Sequence, residues 1–151
     1  MRMRKGIIIA LLLLLAMMLS SCGGKDPSKI NIVGNETNAA EYEEQLTSAL
    51  TKKFDNLQYV RILTIDGESK ATIAVSFSAT MDDDSFKNLA FSVWEIIARD
   101  IDLNDSVSLM ICSEDSSQFV RSVPRDNCFL MHDFKTYRMD AELGSMVEVE
   151  S

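Results

Sequence analysis

Between Lys70 and Thr80 the chain alternates without a break: Ala71, Ile73, Val75, Phe77 and Ala79 fall on one side, and Thr72, Ala74, Ser76, Ser78 and Thr80 on the other. Period-two alternation means a strand with one buried and one solvated face, the habit of antiparallel sheets. A face of that kind must be covered by another layer. Leu57 to Ile65 reads as a preceding strand, and Asp66-Gly67-Glu68-Ser69 between them predicts a hairpin. Ser106 to Cys112 alternates Val107, Leu109 and Ile111 with polar or flexible neighbours and predicts a third long strand. Gln118 to Val123 and Phe129 to Arg138 are further strand candidates around the turn Pro124-Arg125-Asp126-Asn127.

Two segments carry a different period. From Ala39 to Phe54 the residues Tyr42, Leu46, Ala49, Leu50 and Phe54 recur at helical steps, with Asn38 as N-cap, Glu41, Glu43 and Glu44 at the positive end and Lys52 and Lys53 at the negative end. After Met81-Asp82-Asp83-Asp84-Ser85 a second helix runs to about Ile101, with Phe86, Leu89, Ala90, Val93, Ile97 and Ile101 on one stripe widened by Trp94 and Ile96. Lys29 to Val33 has the composition of a short edge strand. The order predicts an α+β two-layer sandwich, two helices on an antiparallel sheet, in a ferredoxin-like (β)αββαβ(β) order. The expected domain spans 39–139, followed by an acidic tail over 140–151.

The start of the chain is of another kind. Arg2, Arg4 and Lys5 precede 13 apolar residues, Ile7 to Leu19. A spanning helix needs about 20, whereas the apolar region of a secretory signal has about 7 to 15. The run ends in Leu19-Ser20-Ser21-Cys22-Gly23-Gly24, which resembles the lipobox of bacterial lipoproteins across residues 1–24. The resemblance implies that 1–21 is a signal peptide, that the Cys22 thiol takes a diacylglycerol, and that 22–38, rich in Gly, Asn, Ser and Lys, tethers the domain to a membrane. Two acyl chains suffice for stable anchoring where one does not. With Gly23 and no aspartate after the cysteine, the resemblance implies the outer membrane in a Gram-negative cell, and the outer face of the cell membrane in a Gram-positive one. Residues 39–112 are similar in element order to small envelope modules such as BON domains and the sporulation lipoprotein domains; the chain lacks a glycine-rich signature to match, so no functional residues carry over.

Fifteen Lys and Arg face 23 Asp and Glu. Without the three basic residues of the signal the balance is 12 against 23, a net charge of −11. Such a surface is repelled by phosphate backbones, which argues against nucleic acid as a partner. With Cys22 lipidated, Cys112 and Cys128 form an even pair outside the cytoplasm, where a disulfide would stabilise by about 3 kcal/mol. A Cys-x15-Cys spacing without adjacent histidines is no zinc site.

The remaining chemistry is sparse. Asp82-Asp83-Asp84 offers carboxylates to a hard cation, but three acids at a helix start first serve its free N–H groups and dipole. Asp100-x-Asp102-x-Asn104 begins like a calcium loop, yet Asp105 and Ile111 stand where glycine and glutamate are required. His132, the one histidine, has no GxSxG elbow or activated cysteine to serve. Gly34, Gly67 and Gly144 stand alone, which disfavours a phosphate loop. Trp94, Tyr59, Phe77 and Phe91 have core spacing rather than that of a ligand pocket. The expectation is therefore a non-enzymatic lipoprotein, without catalytic residues, metal or cofactor. It binds another envelope protein through a sheet face of small hydroxyl residues (Thr72, Ser76, Ser78, Thr80) or a sheet edge. The alternative is a small-molecule or metal-binding lipoprotein.

Overall fold

The computed structural model describes residues 28–33, 36–64, 70–123 and 128–150. Cys22, the rest of the expected signal, part of the expected tether, and the turns expected at Asp66-Gly67-Glu68-Ser69 and Pro124-Arg125-Asp126-Asn127 lie outside them. Among the described residues there are two helices, α1 (Glu36–Thr51) and α2 (Asp83–Asp100). A seven-stranded sheet follows, with β1 (Leu57–Thr64), β2 (Ala71–Phe77), β3 (Val107–Ser113), β4 (Phe119–Ser122), β5 (Cys128–Met131), β6 (Thr136–Asp140) and β7 (Ser145–Glu148). The protein is α+β, as the two periods in the sequence require. No helix among the described residues is long and apolar enough to cross a membrane.

The strands stand in sequence order from β1 to β7. All neighbours are antiparallel except β2 and β3, which run parallel in the register Ile73↔Leu109 and Val75↔Ile111. A parallel pair needs a long crossover, and α2 is that crossover. The helix–strand–strand–helix–strand order along the chain is the expected one, whereas β2 and β3 stand side by side with no strand between them. The segment 29–33 does not join the sheet; Ile30 makes a single bridge to Ile101 at the C-terminal end of α2, and its amide donates to the Asp100 carbonyl at 2.8 Å. Ile32 is buried, and the segment is tied to the end of α2 rather than to a strand.

One sheet face and both helices share a single core. Ile73, Val75, Phe77, Leu109, Ile111, Val120, Phe129 and Met131 meet Leu46 and Leu50 of α1 and Phe86, Ala90, Val93 and Ile97 of α2. Of the alternating residues expected on the inner side of β2, Ala71, Ile73, Val75 and Phe77 are buried, whereas Ala79 lies beyond the strand's end and is exposed. Helix α2 begins as its acids dictate: Asp82 is the N-cap, accepting from the Ser85 amide at 2.9 Å and the Ser85 hydroxyl at 2.7 Å, which lowers its pKa. Helix α1 starts earlier than its expected cap, so Asn38 lies inside it; nothing upstream of Asn38 in the helix, Glu36-Thr37, opposes helical backbone.

The two strand edges are treated differently. Along β1 the outward Ile62 amide donates to Glu43 Oε2 of α1 at 2.9 Å, and Glu43 Oε1 pairs with Arg61 at 2.8 Å. A carboxylate therefore occupies the place where a foreign strand would pair. At the far side β7 lies against α2. This strand was expected to be loose tail; instead Asp140 Oδ1 accepts from the amides of Glu142 and Leu143, Gly144 adopts φ +63°, and Met146 returns to the core. Phe129 to Arg138 is likewise two strands rather than one, separated by a turn over His132–Lys135.

Gln118, only 8% exposed, ties the start of β4 to the segment leading into α2. Its Oε1 accepts from the Met81 amide and its Nε2 donates to the Met81 carbonyl. Gln118→Ala leaves both Met81 groups without these partners, and a loss of about 1–3 kcal/mol in urea unfolding is expected.

Candidate functional site

Direct cross-strand pairing sorts the residues that point away from the core into rows. One runs Arg61, Ala74, Met110, Arg121, Leu130, Thr136; the row beside it runs Tyr59, Ser76, Cys112, Phe119. Tyr59 is 39% and Leu63 56% exposed, Arg61 and Arg121 are exposed, and Ala74, Met110, Phe119 and Leu130 are half-buried. This outer face combines apolar and basic groups, and strands β1 to β5 contain no acidic residue. In a chain so rich in carboxylates that is a segregated surface. Arg61 is held by Glu43, whereas among the described residues no carboxylate pairs with Arg121.

The expected hydroxyls are only part of it. Thr72 Oγ1 and Ser108 Oγ lie 2.9 Å apart on this face, and Ser76, 1% exposed, donates to Gln58 Oε1 at 2.8 Å. Ser78 and Thr80 follow the end of β2, with Ser78 bonded to the Asn56 carbonyl. An open hollow of about 420 Å³ touches Thr72, Ser108, Met110 and Arg121.

The end of the sheet where α2 begins holds the other polar groups. His132 lies in the β5–β6 turn, not in a strand as expected, because Asp133 Oδ1 captures the Lys135 amide at 2.9 Å and bends the chain there. Its Nε2 is 3.0 Å from Asp83 Oδ1, its ring lies edge-on to Phe86 and Phe119, and its Nδ1 is buried without a hydrogen-bond partner. Asp133 also accepts from the Tyr137 hydroxyl at 2.6 Å. Burial pushes the Asp133 carboxyl up, but the hydrogen bonds from Tyr137 and Lys135 and the nearby positive charges outweigh it and hold it below the ordinary range. Burial first, then Asp133, push the Tyr137 phenol well above its usual value. Cys112 stands two strands from His132 in the same row, about 10 Å at normal strand spacing. That is too far for a thiol–imidazole pair. The polar groups tie a turn to a helix and do not assemble a nucleophile with its base.

The other candidates are also placed. No disulfide joins Cys112 to Cys128: the register sets them two strands apart and at opposite ends of β4, beyond the roughly 7 Å Cα separation a bridge allows. The Asp100 carboxylate is taken by Arg99, which lowers its pKa, and Asn104 bonds Asp102 and the Ser106 amide. Among the described residues no three of His, Cys, Asp and Glu cluster in a metal-ligating group. Phe77 and Phe91 are buried, Trp94 packs against the core, and Tyr59 lies on the outer face.

Sequence reasoning passed over Phe134. It is 80% exposed at the turn with φ +61°, a left-handed backbone that costs a bulky residue about 1–2 kcal/mol. The only signal in the sequence is His-Asp-Phe-Lys between two apolar runs, where the aspartate two residues before Lys135 marks an Asx turn. No protein family, curated protein or solved structure matches the chain.

The Asp133–Tyr137 bond has a pH signature. A carboxyl depressed by folding stabilises above its unfolded value near 3.9 and loses that contribution as pH falls through the folded value; a phenol raised by folding stabilises fully below about pH 10 and loses it above. Tyr137→Phe is expected to cost about 1 kcal/mol at neutral pH and to flatten the fall of stability below about pH 4, checked by urea unfolding across the acid range.

Proposed function

We propose that the protein is a lipid-anchored module exposed outside the cytoplasm of a bacterium, and that it binds another envelope protein through the outer face of its sheet without catalysing a reaction. The N-terminal lipobox pattern, with Cys22 as the acylated residue, supports the address. The observation that carries the interaction is the outer face itself: a basic and apolar surface, centred on Met110, Arg121 and Leu130, on a strongly acidic chain. Interfaces favour arginine, methionine and aromatic groups in this kind of mixture.

The blocked edge at β1 and the placement of β7 against α2 favour the face over strand addition at an edge. One core shared by both helices and the inner face supports the two-layer reading of the sandwich. A small-molecule reading has a single observation in its favour, the hollow beside Arg121, whose guanidinium and the Thr72 and Ser108 hydroxyls suit an anionic group.

Two variants separate address from interaction. Cys22→Ala is expected to move the chain out of the membrane fraction. Met110→Glu, at a half-buried outer position, is expected to leave unfolding within about 1 kcal/mol of wild type while removing the crosslinked partner of the anchored protein in intact cells. Full membrane retention of Cys22→Ala refutes the anchor, and an undiminished crosslink in Met110→Glu refutes the face. Stabilisation by a small anion, abolished in Arg121→Ala, is the result that selects the small-molecule reading.

A further inference from the structure

We propose that the recess beside Phe134 binds the arginine or lysine side chain of a basic peptide segment in a partner protein. This surface begins at Thr136, the last member of the outer row, and extends away from Met110, Arg121 and Leu130 toward the β5–β6 turn, so its test does not depend on the outer-face reading.

The turn is built to hold an aromatic ring in water. Asp133 Oδ1 takes the Lys135 amide at 2.9 Å, and the Phe134 amide donates to the Met131 carbonyl at 2.9 Å. Between those bonds Phe134 is fixed at φ +61°, where glycine or asparagine would be relaxed, and its ring is 80% exposed. A strained backbone that displays a large apolar group works against stability, and strain of this kind gathers at binding sites.

The recess next to the ring says what the ring is for. An open hollow of about 620 Å³ is lined by Phe134, Lys135, Thr136, Glu148, Val149 and Glu150. Lys135 Nζ is engaged by Glu148 at 3.0 Å, so that pair is internally balanced. Among the described residues no cation pairs with Glu150, whereas the Asp133 carboxylate is already engaged by the Lys135 amide and the Tyr137 hydroxyl. A π face beside an unmatched carboxylate is the pairing that a guanidinium or ammonium group satisfies, by stacking on the ring and by a charge-assisted hydrogen bond. The fold already uses the first half of this arrangement, with Lys87 Nζ 5.0 Å from the centroid of Tyr137.

Charge and position exclude a bilayer as the occupant. Anionic head groups are repelled by these carboxylates. Residues 28–33 approach the fold at the C-terminal end of α2, where Ile30 meets Ile101, while the β5–β6 turn lies beside the start of that helix, through His132 and Asp83. Eighteen helical residues set the two ends about 27 Å apart.

The test is an amide-shift titration of the ¹⁵N-labelled full chain, in detergent, with acetyl-Gly-Arg-Gly-Arg-Gly amide and with the same peptide carrying Glu for Arg. The arginine peptide is expected to give saturable shifts confined to residues 133–136 and 148–150, and the glutamate peptide none. Phe134→Asn, which suits the left-handed backbone, is expected to keep the fold and weaken binding about two- to fivefold. Glu150→Gln supplies a second variant, in which the turn is untouched, and is also expected to weaken binding. Met110→Glu is expected to leave the titration unchanged. Shifts scattered over the acidic surface, no saturation by about 10 mM peptide, or wild-type affinity in both Phe134→Asn and Glu150→Gln overturns the proposal.

Discussion

The parallel pairing of β2 with β3 is the joint on which the molecule is assembled. Seven consecutive Cα pairs, Ala71↔Val107 through Phe77↔Ser113, place two alternating strands side by side with their apolar faces on the same side. Parallel strands cannot be joined by a tight turn, so the chain between them crosses over, and α2 is laid on the apolar face as a result. The hairpin partner β1 extends the pair in one direction and four antiparallel strands extend it in the other. Burial then follows from parity: every residue directly opposite Ile73 or Ile111 faces the helices, and each neighbour in sequence faces out.

The same parity gives the outer face its character. Within the pleated sheet Ser76 and Cys112 stand directly opposite each other and are buried on this face, the Ser76 hydroxyl donating to the Gln58 side chain. The charges are distributed by element rather than at random. Carboxylates gather in helix starts and turns, where they serve free amides, as Asp82, Asp115, Asp133 and Asp140 each do. Strands β1 to β5 are left with Arg61 and Arg121 as their only charged residues, so their outer face is basic in an acidic protein.

Much of this was legible from periodicity. The buried residues of β2, β3 and α2 follow from alternation and from a helical stripe, and Asp82 is the acid at the start of that stripe which becomes the cap. What was not legible depended on long-range pairing. A five-residue run such as Lys29 to Val33 has strand composition, but whether it finds a sheet edge is decided by where Ile101 leaves it. Ser145 to Glu148 looks too acidic and too short to be ordered; it pairs because Gly144 turns the chain back onto β6 and Met146 finds the core. The turn that divides β5 from β6 contains no glycine, and the residue at its left-handed position is Phe134, so the usual punctuation was missing. Cys112 and Cys128 form an even pair by count, and only the register shows that they sit at opposite ends of the sheet.

Sequential strand order also has a consequence for how the chain acquires its structure. Each strand's partner is its neighbour in sequence, so loop closure is short everywhere except between β2 and β3, whose paired residues are 36 positions apart. Closure entropy rises only slowly with length, and topologies of mostly local contacts fold quickly. Once that one pairing and its helix have formed, β4 to β7 can be added one at a time, in the order in which they follow one another along the chain. The last strand in sequence is also the last to be needed, since β7 pairs only with β6 and no other strand of the sheet depends on it.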